Sequence, residues 1–166
     1  MFEIGDYIVK AGEGVCKVDC KTVMKIPGDG REVPYYLLVP VSDPRIKVYL
    51  PVADEYPEIR PVMSRNEAED LVVAVKGIHA AKVESEKARE DTYREAIRSC
   101  SPEKLVGIIK HMYLRSAERQ AHGKKTTAMD DRYFAMAEKA LYSELGFVLD
   151  KSNAEVKELI IEYAES

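Results

Sequence analysis

The stretch FEIGDYIVKAGEGVCKVDC, residues 2–20, decides how the first third of the chain folds. An apolar run at positions 7–9 is followed by Gly12 and Gly14, and apolar and polar residues then alternate over positions 15–20. The two glycines predict a bend, because glycine adopts the positive φ angles that tight turns require. The alternation predicts a strand, since successive side chains of a strand point to opposite faces. The stretch therefore predicts two strands joined by a bend.

A phosphate loop and a metal site are the two chemical alternatives for this stretch. A phosphate loop needs a glycine, four further residues and then Gly-Lys with Ser or Thr, whereas these glycines stand two apart and a strand follows. Cys16 and Cys20 are expected on one side of that strand, but a structural zinc site needs four close ligands and Cys100 is remote. We predict a β bend with small buried cysteines, and neither a metal nor a cofactor.

Residues 21–62 continue the strand pattern. The sequence PGDG at 27–30 is a strong turn signal, and the segments 35–41 and 45–50 are rich in residues that favour strands. Seven of the eight prolines lie in the first 62 residues, where they would interrupt helices. Four or five short strands at this spacing predict a small antiparallel barrel or a strongly bent sheet over residues 1–62.

From residue 63 onward the pattern becomes helical. A serine or threonine precedes each of four helical stretches and predicts a helix N-terminus, because its hydroxyl accepts a hydrogen bond from a free backbone N–H group. These residues are Ser64, Ser101, Thr127 and Ser152. The charged segment 84–98 is predicted as a further helix. The expected fold is α+β, with a small antiparallel barrel or strongly bent sheet over 1–62 followed by a compact bundle of four or five helices over 63–166.

Composition and charge narrow the class of protein. The chain has 166 residues, of which 46% are hydrophobic and 33% charged, and this profile is typical of a folded globular protein. Its net charge of −4 argues against a globally basic nucleic-acid binder. No apolar run approaches the roughly 20 residues that span a bilayer, and no secretory signal is visible. We expect a cytoplasmic protein with reduced thiols and no membrane partner.

No residue pattern predicts an enzyme or a small-molecule substrate. No serine stands in a nucleophile elbow, and His111 falls at the edge of an apolar helical stripe, where a core or boundary role is expected. Asp130 and Asp131 fall in the first turn of a helix, where acids complement the helix dipole. Several basic residues of the later helices form either a solvated face or a stripe that contacts phosphates. They are Lys104, Lys110, Arg115, Arg119, Lys124, Lys125 and Arg132.

Seven motifs carry a resemblance to a known family through their order and spacing. They are FEIGDYIV (2–9), GEGV (12–15), YYLL (35–38), KVYLPV (47–52), IRPV (59–62), LVGIIK (105–110) and AEKALYSEL (137–145). Together they resemble the CarD/CdnL family of bacterial transcription regulators, and the resemblance covers nearly the whole chain.

The resemblance implies a Tudor- or SH3-like barrel that docks on the β subunit of RNA polymerase. It also implies a helical domain that contacts promoter DNA, where the family's tryptophan wedges into the minor groove and stabilises the open complex. This chain has no tryptophan; Glu86 falls at the wedge position, and only Arg89 is retained among the basic residues that follow it. We therefore expect docking on the polymerase with weak or absent affinity for DNA.

The expected site residues follow from this resemblance. Those expected to contact the β subunit of RNA polymerase are Met24, Arg45, Lys47 and Tyr49. Those expected at promoter DNA are Arg89, Lys104, Lys110, Arg115 and Arg132. The rival hypothesis is a protein-interaction module unrelated to transcription, which predicts a contiguous exposed apolar patch away from the edge strand of the barrel.

Overall fold

The computed structural model of the protein describes residues 2–52 and 58–166. Within these residues five strands come first and five α-helices follow, which confirms the predicted α+β class. The strands are β1 (Tyr7–Lys10), β2 (Gly14–Lys25), β3 (Glu32–Pro40), β4 (Val48–Pro51) and β5 (Ile59–Pro61). The helices are α1 (Arg65–Ala74), α2 (Arg89–Arg98), α3 (Pro102–Ala121), α4 (Ala128–Leu149) and α5 (Asn153–Glu165). The boundary expected after residue 62 falls between β5 and α1, and the division into two domains stays a prediction.

The strands form one antiparallel sheet in the order β4-β3-β2-β1-β5, which is not closed within the described residues. Its edges are therefore β4 and β5. The bend between β1 and β2 is the predicted one, with Gly12 and Gly14 at φ angles of 81° and 77°. A side chain would strain the backbone at either position, because L-residues rarely adopt these angles.

A β-bulge divides β2 into two parts. Val18 pairs with Leu38, but Cys20 pairs with Leu37, so one extra residue is inserted between the two pairs. Because side chains alternate along a strand, this insertion turns every later residue of β2 to the other face of the sheet. The prediction that Cys16 and Cys20 share a face is therefore wrong. Strict alternation along the sequence gives no signal of an inserted residue.

The core of the sheet lies on one of its two faces. Its buried members are Ile8, Cys16, Val18, Tyr36, Leu38 and Leu50. Phe2 closes this core: its ring lies 6.3 Å from that of Tyr36, and its backbone N–H donates to the Tyr36 hydroxyl at 3.0 Å. Side chains from both edge strands, Leu50 of β4 and Ile59 of β5, belong to the same cluster. Since one cluster joins the two edges, the sheet must be strongly bent.

The helices begin at the predicted residues. Ser64 and Ser152 form capping boxes with the glutamates three positions later, and Ser101 and Thr127 each accept a hydrogen bond from the third residue of their helix. The helix predicted over 84–98 begins only at Arg89. No side chain caps α2; the hydroxyl of Ser85 accepts the backbone N–H of Ala88 in the turn before the helix.

Helix α4 is the centre of the bundle. It contacts α1, α2, α3 and α5, and it also contacts β2 of the sheet. Its buried residues Leu141 and Leu145 belong to the same core as Ile108 of α3, Tyr93 of α2 and Val156 of α5. The sequence of α4 is apolar enough for this position, because residues at helical spacing face the core along its whole length.

A buried ion pair joins the sheet to the bundle. The guanidinium of Arg60 on β5 donates to both carboxylate oxygens of Glu144 on α4, at 2.7 and 2.5 Å. Glu144 is only 2% exposed, and it also accepts the backbone N–H of Met63 at 3.0 Å. The Nε–H of Arg60 donates to the carbonyl of Cys100 at 2.6 Å, and Nη1 also donates to the carbonyl of Pro61 at 3.1 Å. All of these groups are satisfied, as a buried charge requires.

We expect the substitution Glu144→Gln to lower the free energy of unfolding by about 3 kcal/mol, because it leaves the Arg60 guanidinium without a counter-charge in a largely buried site. Urea titration at neutral pH measures this loss. The matched control is Glu69→Gln, which removes the exposed ion pair with Arg65 and should leave the transition midpoint unchanged. Equal stability of the two variants would contradict the importance of the buried pair.

Candidate interaction surfaces

One face of the sheet, which we call the open face, carries apolar side chains outside the cluster that Phe2 closes, and among them Leu37 is buried whereas Met24 and Tyr49 are exposed. The register places its members together because cross-strand partners share a face: Thr22 pairs with Tyr35, Met24 with Val33, and Tyr49 with Leu37. The open face consists of Cys20, Thr22, Met24, Val33, Tyr35, Leu37 and Tyr49. Its two most prominent apolar residues, Met24 and Tyr49, are 41% and 48% exposed.

The β-bulge of β2 is what brings Met24 and Tyr49 to the same face. Their partners on β3, Val33 and Leu37, are four residues apart, so the two side chains are separated by about 13 Å along the strand direction. Tyr35, which is partly buried, lies between these partners on the same face. Sequence reasoning grouped Met24 and Tyr49 from the resemblance, and the structure places them on one apolar surface.

Arg45 and Lys47 lie immediately before β4, and both are exposed. Arg45 forms a bidentate ion pair with Asp43, with distances of 2.9 and 3.0 Å. The hydrogen bonds from Arg45 hold the pKa of the Asp43 carboxyl below its usual range. Because this pair is exposed, it contributes little free energy, and a carboxylate of a partner protein can replace Asp43 at the guanidinium.

Two arginines of the expected DNA-binding set contact a buried carboxylate, that of Asp130. Arg89 and Arg115 donate to opposite oxygens of Asp130, at 3.2 and 2.9 Å. The Tyr93 hydroxyl donates to the same carboxylate at 3.1 Å. Both guanidiniums also contact Glu86, which is exposed and bridges them at the protein surface. The cluster thus contains two positive and two negative charges.

The donors around Asp130 set its protonation. Burial alone would raise the pKa of this carboxyl, but the hydrogen bonds that it accepts, that of Arg115 foremost, outweigh burial, so the pKa lies below its usual range. The neighbouring Tyr93 shifts in the opposite direction, because burial and the Asp130 charge raise the pKa of its hydroxyl. Asp130 is therefore ionised at neutral pH, and Tyr93 is neutral.

The other three cations of the DNA-binding set differ in their surroundings. Lys110 donates its amine to the backbone carbonyls of Val75 and, at 2.6 Å, Ile78, and burial lowers its pKa. Arg132 pairs with Glu90 at 3.2 Å and lies over the Tyr133 ring at 4.9 Å. Lys104 is exposed and forms no ion pair with any residue that the structure describes.

A second apolar surface lies on the bundle. A groove of about 560 Å³, which we call the helical groove, is formed by α3, α4 and α5 and lined mostly by apolar side chains. Tyr113 and Leu114 of α3 and Ile161 of α5 line it while remaining largely exposed. This groove lies away from the edge strands of the sheet, where the rival hypothesis of a protein-interaction module expects an apolar patch.

Sequence reasoning missed the two buried carboxylates, Asp130 and Glu144. A signal for both was present, because each falls on the apolar stripe of α4: Asp130 lies three residues before Tyr133, and Glu144 lies three residues after Leu141. A carboxylate within an apolar helical stripe indicates a buried partner of opposite charge. His111 lies at the boundary as expected, with its ring 6.0 Å from that of Tyr93, and burial lowers its pKa.

The cysteines are free thiols in separate places. Cys16 is buried in the core of the sheet, Cys100 is buried between the sheet and the bundle, and Cys20 is partly exposed on the open face. Burial, with a smaller contribution from Glu13, raises the pKa of the Cys16 thiol to about 11. Over residues 2–52 and 58–166, no three His, Cys, Asp or Glu side chains come together as metal ligands would.

No protein-family model matches this chain, and no curated protein matches it. Among the helices that the structure describes, none has the length and apolar character needed to cross a membrane.

We expect Asp130→Asn to lower the free energy of unfolding by about 3 kcal/mol at neutral pH, because two arginines lose their shared counter-charge. The stabilisation that ionised Asp130 provides is complete above the pKa of an unfolded aspartate, about 3.9, and is lost as pH falls through the lower pKa of the folded state. The difference between wild type and variant should therefore shrink below about pH 4. Urea titrations from pH 7 to pH 3 measure it; a difference that is constant with pH would contradict this assignment.

Alkylation by iodoacetamide at pH 8 should distinguish the three thiols. We expect Cys20 to react at least about tenfold faster than Cys16, because the thiolate is the reactive species and Cys16 is both buried and protonated. Burial also raises the pKa of Cys100, so this thiol should react slowly as well. Peptide mass spectrometry measures each rate, and unfolding in urea, the control, should make the three rates similar. Fast native alkylation of Cys16 would show that the core of the sheet is open.

Proposed function

We propose that this protein is a CarD/CdnL-like transcription regulator that binds the β subunit of RNA polymerase through the open face and modulates initiation in the cytoplasm. The observation that carries the proposal is the exposure of Met24 and Tyr49 on one face of a strongly bent sheet. The identity of the partner rests on the sequence resemblance. The core cluster that joins both edge strands supports a Tudor- or SH3-like barrel for this half of the chain.

The chemistry of the open face suits a protein partner. Tyrosine, methionine and arginine are enriched at protein interfaces, and a few such anchors supply most of the binding energy. Tyr49 offers a large ring with a polar hydroxyl, Met24 offers a flexible apolar side chain, and Arg45 and Lys47 precede the same strand as Tyr49. Acidic residues beside an apolar patch on the partner would complement this arrangement.

We propose that the protein binds promoter DNA weakly or not at all. Arg89, Lys110 and Arg115 already donate to carboxylates or carbonyls of the chain, so a phosphate would have to displace these bonds. Glu86, at the position of the family's wedge, is exposed and would repel phosphates. Lys104 is the cation of the set best able to reach DNA, and we propose no catalytic activity and no cofactor.

A protein-interaction module unrelated to transcription is the second candidate function. The helical groove favours it, because this apolar surface is separate from the sheet and has no counterpart in docking through the barrel. The two candidate functions differ in the identity of the partner protein, but in both of them exposed apolar residues supply the binding energy. Affinity purification from the native cell separates them, because only the first predicts that polymerase subunits are recovered.

Retention on an immobilised fragment of the polymerase β subunit tests the proposal. We expect the wild-type protein to bind and Tyr49→Ser or Met24→Ser to weaken binding at least about tenfold, a loss of about 1.4 kcal/mol that is typical of an interface anchor. The matched control is Val23→Ser, which changes an exposed apolar residue next to Met24 on the opposite face of β2. Absence of wild-type retention would defeat the assignment to the polymerase.

A fork-junction DNA binding assay tests the expected weak contribution of DNA. We expect little binding at 150 mM salt and a shallow salt dependence, because few cations are free to release counter-ions. The comparison is with Lys104→Ala, which removes the most available cation. Tight binding with a steep salt dependence that this substitution reduces would contradict the proposal and support a phosphate-contacting stripe.

A further inference from the structure

We infer that the helical groove binds an amphipathic α-helix of a partner protein that carries basic residues beside its apolar stripe. This goes beyond the proposed function, because the groove lies on the bundle and the open face lies on the sheet. The inference rests on four features of the groove: its shape, its exposed apolar residues, its backbone chemistry and its charge.

The shape of the groove suits a helix. Helix α4 provides Phe134 and Leu141, and α3 and α5 provide the flanking residues Tyr113 and Ile161. The lining residues of α4 run from Asp130 to Tyr142, so the groove extends along this helix for about 18 Å, which matches about three turns of a docked helix. Such a helix would place apolar residues at positions i, i+3 or i+4, and i+7 against the groove.

Two large apolar side chains of the groove are exposed to water, although neither is needed to bury its own helix against the bundle. Tyr113 is 68% exposed and Ile161 is 45% exposed, although Ile160 already provides the buried side of α5. Water contact with these side chains is unfavourable by about 25 cal/mol for each Å² of apolar surface. A partner that covers them would recover this free energy.

Backbone chemistry selects a helix over an extended peptide. An extended peptide needs partners for its backbone N–H and C=O groups and normally finds them at the edge of a sheet. The groove is formed by α3, α4 and α5, whose interior backbone groups are already bonded within each helix. A docked helix satisfies its own backbone and therefore meets the groove with side chains alone.

The charges around the groove select a basic partner. Lys157 is paired with Glu138 at 3.4 Å, and the amine of Lys110 is directed to backbone carbonyls. Asp131 and Glu165 also line the groove, are exposed, and form no ion pair with residues in the described part of the chain. These carboxylates would attract lysine or arginine on the flanks of a docked helix.

The same charges disfavour a second copy of this chain as the occupant. The helix that carries Ile161, α5, contains four glutamates and one lysine. Docking α5 of one copy into the groove of another would bring like charges together, which costs binding free energy. The favoured occupant is therefore a helix from a different protein.

Fluorescence anisotropy with a model helix tests the inference on the full chain. The probe is a labelled 14-residue peptide of leucine and lysine, with leucine at positions i, i+3, i+4 and i+7. We expect Tyr113→Ser and Ile161→Ser each to weaken its binding at least about tenfold, as for interface anchors. The matched control is Val73→Ser, which changes an exposed apolar residue of α1 outside the groove and should leave binding unchanged.

The peptide in which glutamate replaces every lysine keeps the apolar stripe and should bind at least about tenfold more weakly. Equal binding of the two peptides, or equal binding by all three variants, would overturn the inference. So would a wild-type dimer in sedimentation equilibrium that Ile161→Ser converts to monomer, because the occupant would then be a second copy. Circular dichroism verifies that the variants are folded. Retention on the polymerase fragment should be unaffected by Ile161→Ser, so the two proposals can fail separately.

Discussion

The ion pair between Arg60 and Glu144 is the interaction on which the arrangement of sheet and bundle depends. It joins the short edge strand β5 to α4, the helix that contacts every other helix of the bundle. A bidentate pair fixes both the distance and the orientation of the two groups. Its geometry therefore helps to fix where α4 lies against the sheet, on the side that carries Val9 and Val15.

Two accessible apolar surfaces remain once this arrangement is set, and they lie on different structural elements. The open face belongs to strands β2, β3 and β4, whereas the helical groove belongs to α3, α4 and α5. A protein with two such surfaces can hold two partners together, because occupation of one need not obstruct the other. Simultaneous binding would raise the effective concentration of one partner near the second.

Local signals in the sequence predicted much of the fold. They did not predict which charged residues pair across the fold. Capping residues such as Ser64 located the helix starts because they act within one turn, and Gly12 identified the first bend for the same reason. The expected basic stripe was different: whether Arg115 reaches solvent or Asp130 depends on how α3 and α4 pack, and spacing along one helix contains no such information. The grouping of Met24 with Tyr49 came from the resemblance, since the inserted residue in β2 leaves no mark on the alternation.

The inserted residue, Asp19, interrupts the alternation of inward and outward side chains along β2. Before it, alternate residues such as Cys16 fill the core of the sheet; after it, the same alternate positions, such as Met24, belong to the outer surface. The even-numbered residues of the first part of β2 are therefore in the core of the sheet, and those of the second part are on the open face. Deletion of Asp19 would remove the bulge and leave Met24 on the open face, because Cys20 would then follow Val18 in regular alternation. The composition of the open face thus depends on how β2 pairs with β3 as well as on the identity of its residues.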